Sequence, residues 1–419
     1  MTSNKISVPY GTGQLSFELP ESCFLGMVLP SDDNAPAGSS DDIIRKALAA
    51  PVGAKRLSAS VGPSHKIAII VNDITRPTPS AYLIPFVLEE LALAGVPDEN
   101  ITFYFALGLH REHTEDEMKK LLGEAVYSRY KHVQHEVGSY PVTSFGQTSR
   151  GTPIEVYEDI PKNDFIIGIG EIGFHYYAGY SGGAKSIFPG VSSKTSVITN
   201  HKMMIEKNAV SGRVDSPVRQ DFEEAVKIVG LDFILNVVLD SHKQVVAAFS
   251  GDFIEAHRKG VSVVDALYKV EVPPADAVIV SCGGYPKDIN LYQTNKALDN
   301  ATQAVAEGGS IIIVSECRDG IGNDVYDRWN KSCKTAAEAI ARFKTEFEFG
   351  GHKAATTAAA SLRFHLYLVS SLPDDTVREA FFEPCATVEE AVSRVLAKKQ
   401  NAKFLVMPYG GQTLPKIKE

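Results

Sequence analysis

The sequence predicts an α/β protein of two domains, each built on a mostly parallel sheet, with an active-site cleft expected between them. Three observations carry this reading. The chain has 419 residues, more than one hydrophobic core usually serves. Short, nearly continuous apolar runs alternate with helix-like stretches, as in sheets covered on both faces. The same alternation then restarts after about Val272.

The elements follow in order. A polar, turn-rich connection runs from Pro30 to Asp42, and Ser39, Ser40 or Asp41 can cap the helix that follows. Lys66–Val71 reads as a buried parallel strand that stops at Asn72. Apolar positions at Leu83, Ile84, Val87, Leu88 and Leu91 then mark a helix closing at Gly95. Ile101–Leu107 is a second strand, and Thr114 with Glu117 forms a capping box for a short helix ending near Gly123. Phe165–Gly170 is a third strand. Ser216-Pro217 opens another helix, with proline at its first position. Asp276–Ser281, Ser310–Ser315 and Phe364–Val369 are strands of the second domain. The boundaries expected are 1–272 plus 404–419 for the first domain and 273–403 for the second, with Val272-Pro-Pro-Ala as hinge.

Composition is that of an ordinary globular chain, 44% hydrophobic and 22% charged. A net charge of −9 argues against extended nucleic-acid contacts but leaves room for a local basic pocket. The five cysteines are scattered, without a Cys-x-x-Cys pair, so neither a disulfide framework nor a thiolate zinc site is expected. The first residues lack an apolar signal region, and no run of 18 apolar residues occurs. A cytoplasmic protein with neither membrane nor nucleic-acid partner is the expectation.

The chemistry-bearing residues cluster just after strands. Glu171–Gly190, followed by Asn200-His201, brings His175, Lys185 and His201 close in sequence, with Lys185 behind Ser181-Gly-Gly-Ala184. Its weak periodicity predicts a loop holding an amine beside a flat or phosphorylated group. Lysine is ordinarily a surface charge, and His201 alone is uninformative. Asp73-Ile-Thr-Arg76 offers a carboxylate, a hydroxyl and a guanidinium suited to phosphate or carboxylate, although the same residues would serve a helix-capping turn. His110 and His113 precede the capping box and so lie in a loop; paired with His175, His110 can act as acid or base near neutral pH. Tyr292, Gln293 and Lys296 follow the first strand of the second domain, where a helix would put Tyr292 and Lys296 on one face. An ordinary amphipathic surface would read the same way. Neither Gly-x-Gly-x-x-Gly after the first strand nor a P-loop occurs, which disfavours a nicotinamide dehydrogenase.

Taken together, Asp73-x-Thr-Arg-Pro-x-Pro79, Gly108-x-His-Arg111, Gly173-x-His175, Gly179-Tyr-Ser-Gly-Gly-Ala-Lys185-x-Ile-x-Pro-Gly190, Asn200-His201 and Tyr292-Gln-x-x-Lys296 resemble the nickel-pincer lactate racemase family, in the expected order. Gly251-Asp-x-x-x-Ala-His257 and Gly351-His-Lys-Ala354 resemble further family segments. The resemblance implies a 2-hydroxy acid racemase or epimerase. Its cofactor would be a nickel-pincer nucleotide, Ni(II) pyridinium-3,5-bisthiocarboxylic acid mononucleotide, made by cofactor-synthesis proteins that meet the chain transiently. Lys185 would tether that cofactor covalently and His201 would ligate nickel. His110 and His175 would be the two bases. Asp73, Ile74, Thr75, Arg76, Gln293 and Lys296 would contact the cofactor, while Arg76, Tyr292 and Lys296 would contact substrate. The reaction implied is proton-coupled hydride transfer through a 2-keto acid. Small residues in Gly351–Thr357, with the single tryptophan Trp329 on another segment, leave malate or a longer 2-hydroxy acid as alternatives to lactate. A non-catalytic carrier of the nucleotide is the alternative outside enzymology, and it would expect Lys185, His110 or His175 to be missing.

Overall fold

The computed structural model describes residues 3–29, 38–240, 243–411 and 413–418. The polar connection expected from Pro30 lies, as far as residue 37, outside the described residues. The chain forms two compact units, Asp33–Leu267 and Met1–Asp32 with Tyr268–Glu419.

The unit Asp33–Leu267 is built on a six-stranded sheet ordered Val245–Gly251, Phe233–Leu239, Phe165–Glu171, Ile67–Asn72, Ile101–Ala106, Lys131–Val133. Only the pair Phe233–Leu239 and Val245–Gly251 is antiparallel. Ile67 to Val71 are all fully buried, which explains why that strand reads as an unbroken apolar run. Helix Ser80–Leu93 buries Leu83, Ile84, Val87 and Leu91. Each such side chain contributes about 1.5–3 kcal/mol of burial free energy. The Thr114 capping box opens helix Glu115–Leu122 as expected, with Thr114 accepting from the Glu117 amide. Ser39 caps helix Ser40–Ala49. Ser216 precedes helix Pro217–Val229 but does not cap it; its hydroxyl donates to the Tyr177 carbonyl at 2.6 Å instead.

The other unit carries a parallel six-stranded sheet ordered Glu383–Cys385, His365–Val369, Val305–Val314, Ala275–Ser281, Phe404–Met407, Phe24–Met27. The domain boundaries read from the sequence therefore need correcting at both ends. Phe24–Met27 pairs with Phe404–Met407, and Lys269–Val272 pairs with Leu414–Ile417, so residues 404–419 and the first 32 belong with the second unit. Pairing between segments so far apart in sequence leaves no local signal, because each strand's apolar pattern fits either sheet. Among the described residues no helix is long and apolar enough to cross a membrane.

Candidate active site

Three neighbouring parallel strands, Phe165–Glu171, Ile67–Asn72 and Ile101–Ala106, end on one edge of the first sheet. Asp73–Arg76, Gly108–His110 and Gly173–His175 follow them directly, in the place where open α/β sheets bind ligands. Gly108 donates its amide to the Gly190 carbonyl at 2.9 Å, which ties the His110 turn to the end of the Lys185 segment.

The Lys185 segment is not one loop, as its weak periodicity suggested. Phe174–His175 pairs antiparallel with Gly179–Tyr180, Lys185 lies in the 3-10 turn Gly183–Ser186, and His201 ends helix Lys194–His201 capped by Ser193. These pieces are too short to show a period. Glycine makes the folding feasible: a Cβ on Gly168 would meet the Ser186 hydroxyl at 2.6 Å, so the strand must be bare where the turn packs on it. Gly182 and Gly183 both have positive φ, at 70° and 62°.

Asp73 is buried, and its Oδ1 accepts from the Thr75 amide at 2.8 Å and hydroxyl at 2.5 Å. Arg76 Nε lies 3.4 Å from Oδ2, and His110 Nδ1 lies 3.3 Å from Oδ1. Burial pushes this carboxyl up, but the contacts from His110, Thr75 and Arg76 outweigh it and hold Asp73 well below the usual carboxylate range. His113, three residues beyond His110, accepts the Ile74 amide at Nε2 at 3.1 Å and so steadies the Asp73 turn.

Tyr177 joins the remaining site residues, and no periodicity or motif in the sequence singled it out. Its hydroxyl is 2.7 Å from His201 Nε2. Its ring stands edge-on to His175 at 4.5 Å and to His201 at 5.0 Å, with Lys185 Nζ 6.0 Å from the ring centre. Glu171, which opens this segment and to which no motif gives a role, is buried and accepts from the Ser181 hydroxyl at 2.9 Å.

These groups lie close enough to act on one another's charge. Burial and then the charges of Lys185 and Arg76 hold His175 well below the usual imidazole range. Burial, then Lys185, His110 and Arg76, push His201 down to about 3. Lys185 keeps some contact with solvent, yet burial and then Arg76 and Arg219 depress its amine well below an ordinary lysine, against the pull of Glu171 and Asp73. The pocket thus keeps two imidazoles neutral and moves an amine toward its nucleophilic form.

Tyr292, Gln293 and Lys296 sit on helix Leu291–Ala301 of the other unit, with Asn290 capping the Gln293 amide at 3.0 Å. Tyr292 is half-buried, edge-on to Tyr326 at 6.2 Å and to His352 at 6.4 Å, while Lys296 is exposed. Trp329, remote in sequence from Gly351, packs directly against it and is fully buried, with Nε1 donating to Glu348 at 2.9 Å.

Residues 10–212 match the lactate racemase N-terminal domain, and residues 270–413 match the lactate racemase C-terminal domain. The chain belongs to the lactate racemase family. A lactate racemase of Thermoanaerobacterium thermosaccharolyticum is 33% identical over 416 residues, covering 97% of each chain. One of Lactiplantibacillus plantarum is 30% identical over 420 residues, covering 97% of this chain and 98% of the other. The lactate racemase apoprotein structure from the Thermoanaerobacterium species superposes with a TM-score of 0.85 at 32% identity, over 99% of this chain and all of that one. A Thermotoga maritima protein shares the fold alone, with a TM-score of 0.61 at 21% identity over 92% of this chain and 99% of that one. As a member of the lactate racemase family the chain is an isomerase.

Proposed function

We propose that the chain inverts C2 of a small 2-hydroxy acid, with lactate as first candidate, using a nickel-pincer nucleotide tethered to Lys185. The observation that supports this best is the convergence of His110, His175, Lys185 and His201 with Asp73 and Arg76 in one pocket. The residues fit the group. A lysine pushed toward its neutral form can make an acyl or thioacyl bond. His201 offers Nε2 of a neutral ring as a nitrogen ligand. Among the described residues no group of three or more His, Cys, Asp or Glu stands together as a metal cage, so most of the metal's shell would come from the nucleotide itself. When bound, the group supplies the hydride acceptor.

The chain's own residues then bind substrate and move protons. Arg76 turns Nε toward Asp73, which keeps its guanidinium oriented for a carboxylate or a phosphate. His110 presents Nδ1 to Asp73, leaving Nε2 to accept the hydroxyl proton. Nδ1 of His175 accepts the Ala178 amide at 3.4 Å, which leaves Nε2 as the nitrogen that exchanges a proton with substrate. The ring that takes the hydroxyl proton enters neutral and becomes imidazolium, and the ring that returns a proton enters as imidazolium and becomes neutral, with the roles reversed for the opposite hand of substrate. Gln293 and Lys296 are assigned to the cofactor, and Tyr292 and Lys296 to the substrate, on the family pattern. Asp73, Ile74, Thr75 and Arg76 are assigned to the nucleotide on the same basis.

The test is intact-mass and nickel analysis of protein made together with the cofactor-synthesis proteins, followed by chiral chromatography on lactate, malate and longer 2-hydroxy acids. An adduct on Lys185, nickel, and racemised lactate are expected. An unmodified Lys185 without nickel would sink the proposal. A loaded protein that inverts none of these acids would make the chain a carrier of the nucleotide.

A further inference from the structure

Five successive backbone carbonyls between His175 and Lys185 are each taken by a group from outside that segment. The Tyr177 carbonyl accepts from the Ser216 hydroxyl at 2.6 Å, Ala178 from Arg219 Nε at 3.0 Å, and Gly179 from the Gly212 amide at 2.9 Å. Tyr180 accepts from Arg219 Nη2, and the Ser181 carbonyl lies 2.8 Å from His257 Nε2. Arg219 is fully buried, although Arg258 shares its carboxylate partner: Glu223 Oε1 is 3.3 Å from Arg219, and Oε2 accepts from Arg258 at 2.6 Å. Arg258 Nη1 also lies 3.0 Å from His257 Nδ1, and the Arg258–Glu223 bond joins helices Pro217–Val229 and Glu255–Tyr268 in one polar network. This gives His257, within the Gly251–His257 motif, a part to play.

Burying the Arg219 guanidinium against a carboxylate that a second, half-buried arginine shares is costly. Where packing alone matters, apolar side chains replace buried ion pairs without loss. The planar fork of arginine offers what an apolar group cannot: donors at fixed angles to two carbonyls of one turn. That turn sets the spacing between His175, Tyr177 and Lys185.

We propose that Arg219 is a positioning residue of the racemase site, its guanidinium fixing the 177–181 backbone so that His175 and Lys185 keep the separation the reaction needs. The inference rests on the proposed function for its consequence in turnover, but the pin itself can be tested in protein without cofactor. A displacement of catalytic groups by about 1 Å costs about 100-fold in rate.

Arg219→Lys keeps the charge and loses the fork, whereas Arg219→Met removes both; each is compared with the parent by amide hydrogen exchange and by kinetics. In the cofactor-free Arg219→Lys protein, amides of residues 175–186 are expected to exchange about tenfold faster or more, with the strand Ile67–Asn72 unchanged. In loaded protein, kcat per adduct-bearing chain is expected to fall about 100-fold with KM within about threefold. Arg219→Met is expected to lose more kcat, with lysine restoring part of it. Exchange and kcat equal to the parent in Arg219→Lys would overturn the proposal. So would a lower melting temperature with kcat per loaded chain unchanged, since that is a purely structural role. If Arg219→Met does not fold, Arg219→Lys alone decides. If the parent itself neither loads nor racemises, that failure belongs to the proposed function, and the exchange measurement still judges the pin.

Discussion

The Tyr177 hydroxyl lies 2.7 Å from Nε2 of His201, so the nitrogen assigned to nickel is held by a tyrosine in the protein alone. Burial raises the Tyr177 phenol above its ordinary value, so the hydroxyl keeps its proton and donates it to a neutral imidazole. If His201 takes nickel at Nε2 as proposed, this bond must break. Tyr177→Phe is therefore expected to cost about 1 kcal/mol of stability in denaturant unfolding, while nickel content after expression with the synthesis proteins stays the same. A nickel-free Tyr177→Phe protein would mean that the hydroxyl is needed to aim His201.

Removing either proposed base should separate chemistry from loading. In His110→Ala and in His175→Ala, turnover of both enantiomers is expected to fall by about 100- to 10,000-fold, with the mass added at Lys185 unchanged. Because each hand of substrate requires both a proton acceptor and a proton donor, neither variant should retain one direction. Full activity in either refutes the two-base assignment.

Protein without cofactor should be acid-labile. Burial foremost depresses His175, His201 and His257 below the ordinary imidazole value. Below about pH 6.5 the unfolded chain binds protons at these rings that the folded chain does not, so stability falls as pH falls. The slope approaches about 1.4 kcal/mol per pH unit for each histidine. Glu171, raised by its burial, acts in the opposite sense as pH falls and trims the slope. Asp73, held low, loses its contribution only in stronger acid. Urea unfolding between pH 7.5 and 5.5 checks this; unchanged stability across that range would show that the rings do not stay neutral.

Gly183 tests how tightly the Lys185 turn is built. Its φ is 62°, and a Cβ there would meet the His257 ring at 3.0 Å and the Phe253 carbonyl at 3.1 Å. Gly183→Ala is expected to destabilise by about 1–3 kcal/mol through strain and overpacking, and to reduce adduct formation on Lys185 as the turn shifts. Thermal melts and intact mass read both effects, and an unchanged melting temperature would contradict the packing described.

The sequence by itself determined the α/β class, three strands of each six-stranded sheet and the residues gathered at one sheet edge. Continuous apolar runs such as Ile67–Val71 and the Thr114 capping box are local signals, and the polar groups stand directly after them. Its motifs also carried the family, through residues whose spacing is local. Only the tertiary structure decided the rest. It placed Phe24–Met27 and residues 404–419 in the second unit, because strand pairing across hundreds of residues leaves no local pattern. It turned the Lys185 segment from a presumed loop into hairpin, turn and helix end, each too short to show a period. It also disclosed Tyr177 between the histidines and Arg219 beneath the turn, where contacts between distant elements rather than residue type confer the role.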